Sequence, residues 1–245
     1  MRKFRRFSWK DTNLRIASDR FEMITEAIVE ERRLLEAYIE RHPQFFTAMS
    51  SVQLLPNAPN SAQRMAAAAA MTGLGPMASV AGTLAQIGAE AALAAGAKEA
   101  IVENGGDMYI ASDSPITVGI YAGTSDVGDN LAFSLAPEDL PISLCSSSST
   151  MGHSLSLGQC DLVTVTAKEA ALADSVATMA CNRISAITDL EPVLNEAGSL
   201  PGVQGILAVK EGQVGLFGKL PQLSRNRDVH LTTKITRDQL SDFEG

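Results

Sequence analysis

The stretch Asp161-Leu162-Val163-Thr164-Val165-Thr166-Ala167, followed after Lys168-Glu169 by Ala170-Ala171-Leu172-Ala173-Asp174-Ser175-Val176-Ala177-Thr178-Met179-Ala180-Cys181, decides the reading of this chain. Residues alternate over Asp161 to Thr166 as in a strand, and Lys168 to Cys181 takes helical spacing. Asp174 and Thr178 stand four apart, on one face of that helix. Their neighbours Ala171, Leu172, Ala173, Val176, Ala177 and Met179 are all small or apolar. A carboxylate on such a surface needs a partner, because an unpaired buried charge is costly. A carboxylate with neutral oxygen ligands suits Mg2+ better than Zn2+, which draws His and Cys. An Asp capping a neighbouring loop is the plain alternative.

Strands in hairpins surround this unit. Phe4 to Ile16 alternates loosely about a turn at Asp11-Thr12-Asn13. Further strands fit Ala100 to Glu103, Met108 to Ala111, Ile116 to Tyr121, Leu131 to Leu135, Ile142 to Cys145, Gly205 to Val209 and Val214 to Phe217, with a polar tail after Leu223. Helical spacing runs from Phe21 to Glu40, with Asp19 as its expected N-cap, then from a cap at Ser61 to Gly73, and from Met77 to Ala95. Helices come in blocks and do not alternate strictly with strands. That favours α+β with a mainly antiparallel sheet packed against small-residue helices, over a doubly wound parallel fold. No repeat or low-complexity linker divides the chain, so residues 1–245 are expected to form one domain.

Composition narrows the function classes. Hydrophobic residues are 45% and charged residues 20%, which supports a packed core and excludes a disordered chain. Half of the alanine falls between Ala58 and Ala100, so packing by close backbone approach is expected. A net charge of −8 argues against a broad nucleic-acid-binding face. The basic N-terminus (Arg2, Lys3, Arg5, Arg6, Lys10, Arg15, Arg20) reads as an exposed strand face charged against edge pairing, or else as a phosphate- or membrane-seeking arm. No apolar run approaches a membrane span, no secretory signal is present, and Cys145, Cys160 and Cys181 make no disulfide framework; a cytoplasmic protein is expected.

Three other segments could carry chemistry. Gly73-Leu74-Gly75 lacks the context of a dinucleotide fingerprint, leaving helix spacing or phosphate approach to a helix start. Asn104-Gly105-Gly106-Asp107 is a two-residue hairpin turn, with polar groups at either end for a ligand. Cys145 to Gly158 contains Ser146 to Thr150, a dense set of hydroxyls suited to phosphate oxygens, and His153, placed to act as a general base. A flexible Ser/Gly loop with a solvated His is the alternative.

In order, Gly75-Pro76-Met77-Ala78-Ser79, Val102 to Asp107, and Val163 to Thr178 resemble the ApbE family of flavin (FMN) transferases. A Thr150-Met151-Gly152-His153-Ser154 stretch is similar to that of its UPF0280 branch. The resemblance implies a T-fold-like α+β architecture that takes FAD as substrate or ligand, with Mg2+ at its pyrophosphate. It implies Asp174, Thr178 and the backbone carbonyl near Ala78 as metal ligands. Asn104, Gly105, Gly106 and Asp107 would contact the cofactor, as would Ser148, Ser149 and Thr150, and His153 would be the base. In such transferases FMN passes to a Thr or Ser hydroxyl of an acceptor protein and AMP leaves. Two segments depart from the pattern. Ser154-Leu155-Ser156-Leu157-Gly158 stands where the transferases carry Asp-Pro-x-Thr-Gly, and Ala78-Ser79-Val80 where they carry Ala-Lys-Gly. Two other expectations therefore stay open: a non-catalytic flavin- or nucleotide-binding accessory protein, and a different reaction on the same scaffold, linked to sulfur metabolism, with Cys145 as a thiol. A phosphorylated small molecule is the expected ligand; nucleic acid and membrane are not expected partners, and a homodimer is one option.

Overall fold

The structure, a computed structural model, describes residues 2–121, 131–149 and 159–226. Strands β1 (Arg5–Trp9) and β2 (Thr12–Ala17) form the N-terminal hairpin. Its turn is Lys10-Asp11, earlier than the expected Asp11-Thr12-Asn13, because Trp9 pairs with Thr12 and Lys10 adopts φ 52°. Helices α1 (Phe21–Arg41), α2 (Pro43–Thr47) and α3 (Asn60–Thr72) follow, then a tight turn at Pro76–Ser79 and helix α4 (Val80–Ala94). Next come β3 (Glu99–Asn104), β4 (Asp107–Ser112), β5 (Ile116–Gly119), β6 (Leu131–Leu135), β7 (Ile142–Ser147) and β8 (Leu162–Ala167). Helices α5 (Ala170–Arg183) and α6 (Leu190–Gly198) precede β9 (Val203–Lys210), β10 (Gln213–Gly218) and β11 (Gln222–Arg225).

Among the described residues the large sheet has the order β1-β2-β3-β4-β7-β8-β9-β10, and a smaller one the order β11-β6-β5. Every neighbouring pair is antiparallel, as expected for the α+β class. Strand β11 straddles the start of the expected polar tail after Leu223; its pairing with β6 is a long-range contact that no local pattern announces.

Alternation assigns each strand residue to a layer. Val163, Val165, Ile206 and Ala208 pack with the helices, in a core that also holds Ile24, Leu84, Ala173 and Val176. Ile101, Ile110, Leu144, Leu162, Leu207 and Val209 face the other way, against Ile116, Phe133 and Leu135 of the small sheet. The large sheet is thus covered on both faces, which is why β8 is buried at every position. Each Val or Leu so enclosed contributes about 1.5–3 kcal/mol.

The alanine and glycine excess has a direct structural cause. A Cβ on Gly88 of α4 would stand 2.6 Å from Ile28 Cδ1 of α1, and one on Gly82 only 2.9 Å from the Ala170 carbonyl oxygen. Helix α4 is wedged so closely that larger residues do not fit. Gly75 is similarly pressed on the backbone of Ala48, while Gly73, at φ 74°, ends α3 in the left-handed conformation.

The starts of α3, α4 and α5 are capped from other helices. Asp19 does not cap α1, whose N-cap is Arg20 without a side-chain bond. Nor does Ser61 cap α3: its own N–H donates to Glu31 Oε1 of α1 at 2.7 Å. The basic N-terminus lies along an edge strand and α1, with ion pairs Arg5–Glu22 and Lys10–Glu36. No single described helix is long and apolar enough to cross a membrane.

Candidate functional site

The first turns of α4 and α5, the β3–β4 turn and the end of β7 meet in one place. Asp174 reaches from α5 to α4, where its Oδ2 accepts the Gly82 N–H at 2.9 Å. Ser79, the N-cap of α4, makes no side-chain cap. The carboxylate of another helix does that work, next to the positive end of the α4 dipole. In return Gln86 Oε1 of α4 accepts the N–H of Ala170, the first residue of α5, at 2.7 Å. The two helices cap each other. Because α4 begins at Val80 and the Gly82 N–H turns to Asp174, that N–H is withdrawn from the Ala78 carbonyl one turn earlier.

Gly105 and Gly106 carry φ 67° and 121°, the left-handed values a two-residue hairpin turn demands, and neither has an atom within 4 Å of a built Cβ. Their glycines serve the backbone. The flanking residues serve the site. Asn104 Nδ2 donates to the Ala81 carbonyl at 3.2 Å, tying the turn to α4. Asp107 Oδ1 accepts the Ser146 N–H at 3.1 Å, and its carboxylate also meets the Cys145 thiol.

Asp107 and Asp174 are both buried, and among the described residues no Lys, Arg or His forms an ion pair with either. Burial pushes the Asp107 carboxyl up to about 7, against the pull of the Ser146 N–H. Asp174 is driven well above the carboxylate range, by burial first and then by the charge of Asp107, with the Gly82 N–H opposing. Cys145 lies beneath Gly82, its Sγ 3.1 Å from where a Cβ would be. Burial, with the charges of Asp107 and Asp174, raises its thiol far above the ordinary value, so it stays protonated.

This donor set fits a hard divalent cation. Two carboxylates that repel one another in a buried space lack a positive partner, and every other candidate ligand is a neutral oxygen. The described residues contain no group of three or more His, Cys, Asp or Glu side chains able to hold a metal, so a cation here would draw its remaining ligands from neutral oxygens or from the substrate. Thr178, one turn beyond Asp174, is buried with it. Ser147 Oγ at the end of β7 is enclosed and makes no hydrogen bond among the described residues, an orphan that a ligand oxygen would satisfy.

Of the other expected residues, Ser148 is buried beside Ser147, and Ser149 Oγ donates to the Cys160 carbonyl at 2.6 Å. Thr150 and His153 lie outside the described residues. Ser147, Gln86 and Gly82 were not singled out from sequence. A serine within Ser146 to Thr150 was legible, but which hydroxyl lacks a partner depends on strand parity and on the helix above it.

This layered architecture is shared with solved structures. The chain superposes on the flavinyl transferase ApbE of Pseudomonas stutzeri, apo form, with a TM-score of 0.55 over 88% of this chain and 94% of that one, at 12% identity. The apbe protein from Thermotoga maritima gives a TM-score of 0.54 over 97% and 100%, at 15% identity. At such identity the likeness defines the fold, which is ApbE-like. Sequence goes further. Residues 2–194 match the family described as AbpE bacteria. A UPF0280 protein of Methanosphaerula palustris is 40% identical over 233 residues, 93% of this chain and 96% of that protein. One from Methanocella arvoryzae is 36% identical over 227 residues, 92% of each. The chain belongs to the AbpE bacteria family and to the UPF0280 branch of the ApbE-like superfamily.

Proposed function

We propose that the protein is a Mg2+-dependent, FAD-using transferase of the ApbE type or a diverged relative, passing FMN to a Thr or Ser hydroxyl of an acceptor protein and releasing AMP. The observation that carries this reading is the buried pair Asp107 and Asp174, uncompensated by any cationic side chain among the described residues, on a fold shared with flavin transferases. Asp174, Thr178 and the Ala78 carbonyl would hold the metal. When bound, Mg2+ neutralises charge on the pyrophosphate and on the leaving AMP.

The chain's own residues do the rest. Asn104, Gly105, Gly106 and Asp107 contact the cofactor from the β3–β4 turn, with Ser148, Ser149 and Thr150 on the phosphate side. His153 takes the proton from the acceptor hydroxyl. That oxygen attacks the FMN phosphorus, the pyrophosphate bond breaks, and AMP carries the electron pair away. The ligand is thus a phosphorylated small molecule, and a cytoplasmic, reduced location suits three cysteines that form no disulfide. Incubation with FAD and Mg2+, with and without a Thr-bearing acceptor, tests the proposal. AMP release that Asp174→Ala abolishes supports it, and no AMP under either condition refutes it.

A second reading, a flavin- or nucleotide-binding protein without transfer, draws on the two departing segments and on the single Trp and three Tyr, few rings to stack on an isoalloxazine. It expects FAD to raise the melting temperature with no AMP formed. Thiol chemistry at Cys145, the third expectation, is disfavoured by its burial between the two carboxylates.

A further inference from the structure

Helices α4 and α5 are tied together at two points one turn apart. The Gly82 N–H meets Asp174 Oδ2 at 2.9 Å, and the Ala170 N–H meets Gln86 Oε1 at 2.7 Å. Gln86 follows Gly82 by one turn of α4, and Ala170 precedes Asp174 by one turn of α5, so the two ties stand about 6 Å apart along each axis. A single tie leaves α5 free to pivot about Gly82. The second fixes the register of the pair, and with it the direction in which the Asp174 carboxylate points.

The second tie works with the Gln86 amide in one orientation only. Flipped, its NH2 group would face the Ala170 N–H, donor against donor. Glu90, one turn further along α4, selects the working orientation: its Oε1 accepts from Gln86 Nε2 at 2.7 Å, and a carboxylate paired with arginine has no proton to offer the amide oxygen. That arginine is Arg64 of α3, whose Nη1 and Nη2 donate to the two Glu90 oxygens at 3.0 and 2.7 Å. A two-pronged pair of this kind has fixed geometry. Arg64 Nε donates in turn to Asn60 Oδ1 at 3.0 Å, at the start of α3. Gln86 is only 2% exposed, so water does not substitute for these partners. Hydrogen bonds therefore run without a break from α3 through α4 to the first residue of α5.

We propose that Gln86 is a positioning residue for the candidate metal site, its amide oriented by Glu90 and Arg64, so that α3 governs the aim of Asp174. The proposal rests on the reading of Asp174 as a metal ligand. The three side chains act through Ala170 and the α4–α5 register, and outer partners of this kind change metal affinity by about 10–100-fold when lost.

An exchange of groups along α4 tests the proposal, with Mn2+ binding read by electron paramagnetic resonance at pH 8 in the presence of FAD. Gln86→Glu sets a second carboxylate against Glu90 and is expected to weaken binding about 10–100-fold. Gln86→Glu combined with Glu90→Gln restores complementary partners: the new carboxylate accepts from Ala170 and from the new amide, whose oxygen still accepts from Arg64. Glu169 Oε2, 3.4 Å from Gln86 Nε2, belongs to an exposed side chain that turns away at little cost. Binding should therefore return in the double variant. Hydrogen exchange at the Gly82 N–H, followed by NMR without metal, gives an independent reading: faster in Gln86→Glu, slowed again in the double variant, with the amides of β8 unchanged. Gln86→Met, which keeps the size but neither hydrogen bond, should weaken Mn2+ binding likewise and serves if Gln86→Glu fails to fold. A wild type that binds no Mn2+ refutes the metal reading and the proposal with it. A wild type that binds Mn2+, with a folded Gln86→Met of equal affinity or a double variant no better than Gln86→Glu, overturns the positioning role and leaves the metal reading standing.

Discussion

Asp107→Asn isolates the electrostatic cost of the site. The wild-type carboxyl is raised from 3.8 to about 7 by burial. At about 1.4 kcal/mol per pKa unit, holding it ionised above pH 7 costs the metal-free fold about 4 kcal/mol. The sign follows from linkage: the native state binds this proton more tightly than the unfolded chain does. The penalty is absent below pH 4, grows as pH rises, and is complete above about pH 7. Asparagine retains an oxygen for the Ser146 N–H and has no charge to bury. In EDTA at pH 8 the variant should therefore melt up to about 8–16 °C above wild type, since about 1 kcal/mol moves a chain of this size by about 2–4 °C. At pH 4 the two should melt together. The same variant should lose stabilisation by added Mg2+. Thermal unfolding by circular dichroism at the two pH values decides the matter. A variant that is less stable at pH 8, or shifted equally at both pH values, would refute the claim that the Asp107 charge is uncompensated.

Other substitutions probe the surrounding contacts. Gly82→Ala forces a Cβ to 2.9 Å from the Ala170 carbonyl and 3.1 Å from both Asp174 Cβ and Cys145 Sγ. It should cost about 1–3 kcal/mol in denaturant titration and weaken Mg2+ binding, because Asp174 is displaced. Ser147→Ala removes an orphan hydroxyl, so stability should hold or rise slightly while FAD affinity, read by calorimetry, falls. His153→Ala should abolish AMP release, yet leave the FAD-induced rise in melting temperature intact.

Much of the fold was readable because the informative pattern was local. Alternation over Asp161 to Thr166, and the Glu211-Gly212 turn between β9 and β10, locate strands without reference to anything distant. The four-residue spacing of Asp174 and Thr178 put both on one helix face. The capping was illegible for the opposite reason. Glu31 serves Ser61, Gln86 serves Ala170 and Asp174 serves Gly82, each from another helix, so local cap rules pointed to Asp19 and Ser61 instead. The meeting of Asp107 with Asp174 likewise depends on β4 lying beside β7 beneath α5. The plain alternative for Asp174, a cap on a neighbouring loop, becomes a cap on the start of helix α4, where Oδ2 accepts the Gly82 N–H.

The most direct measurement is a Mn2+ titration followed by electron paramagnetic resonance, with Mn2+ standing in for Mg2+, at pH 8 in the presence of FAD. Wild-type protein should bind a single Mn2+ tightly, and Asp174→Asn, which keeps the Gly82 cap but not the charge, should leave the signal of free Mn2+. Equal binding by both proteins, or none by wild type, would contradict a metal centre at Asp174.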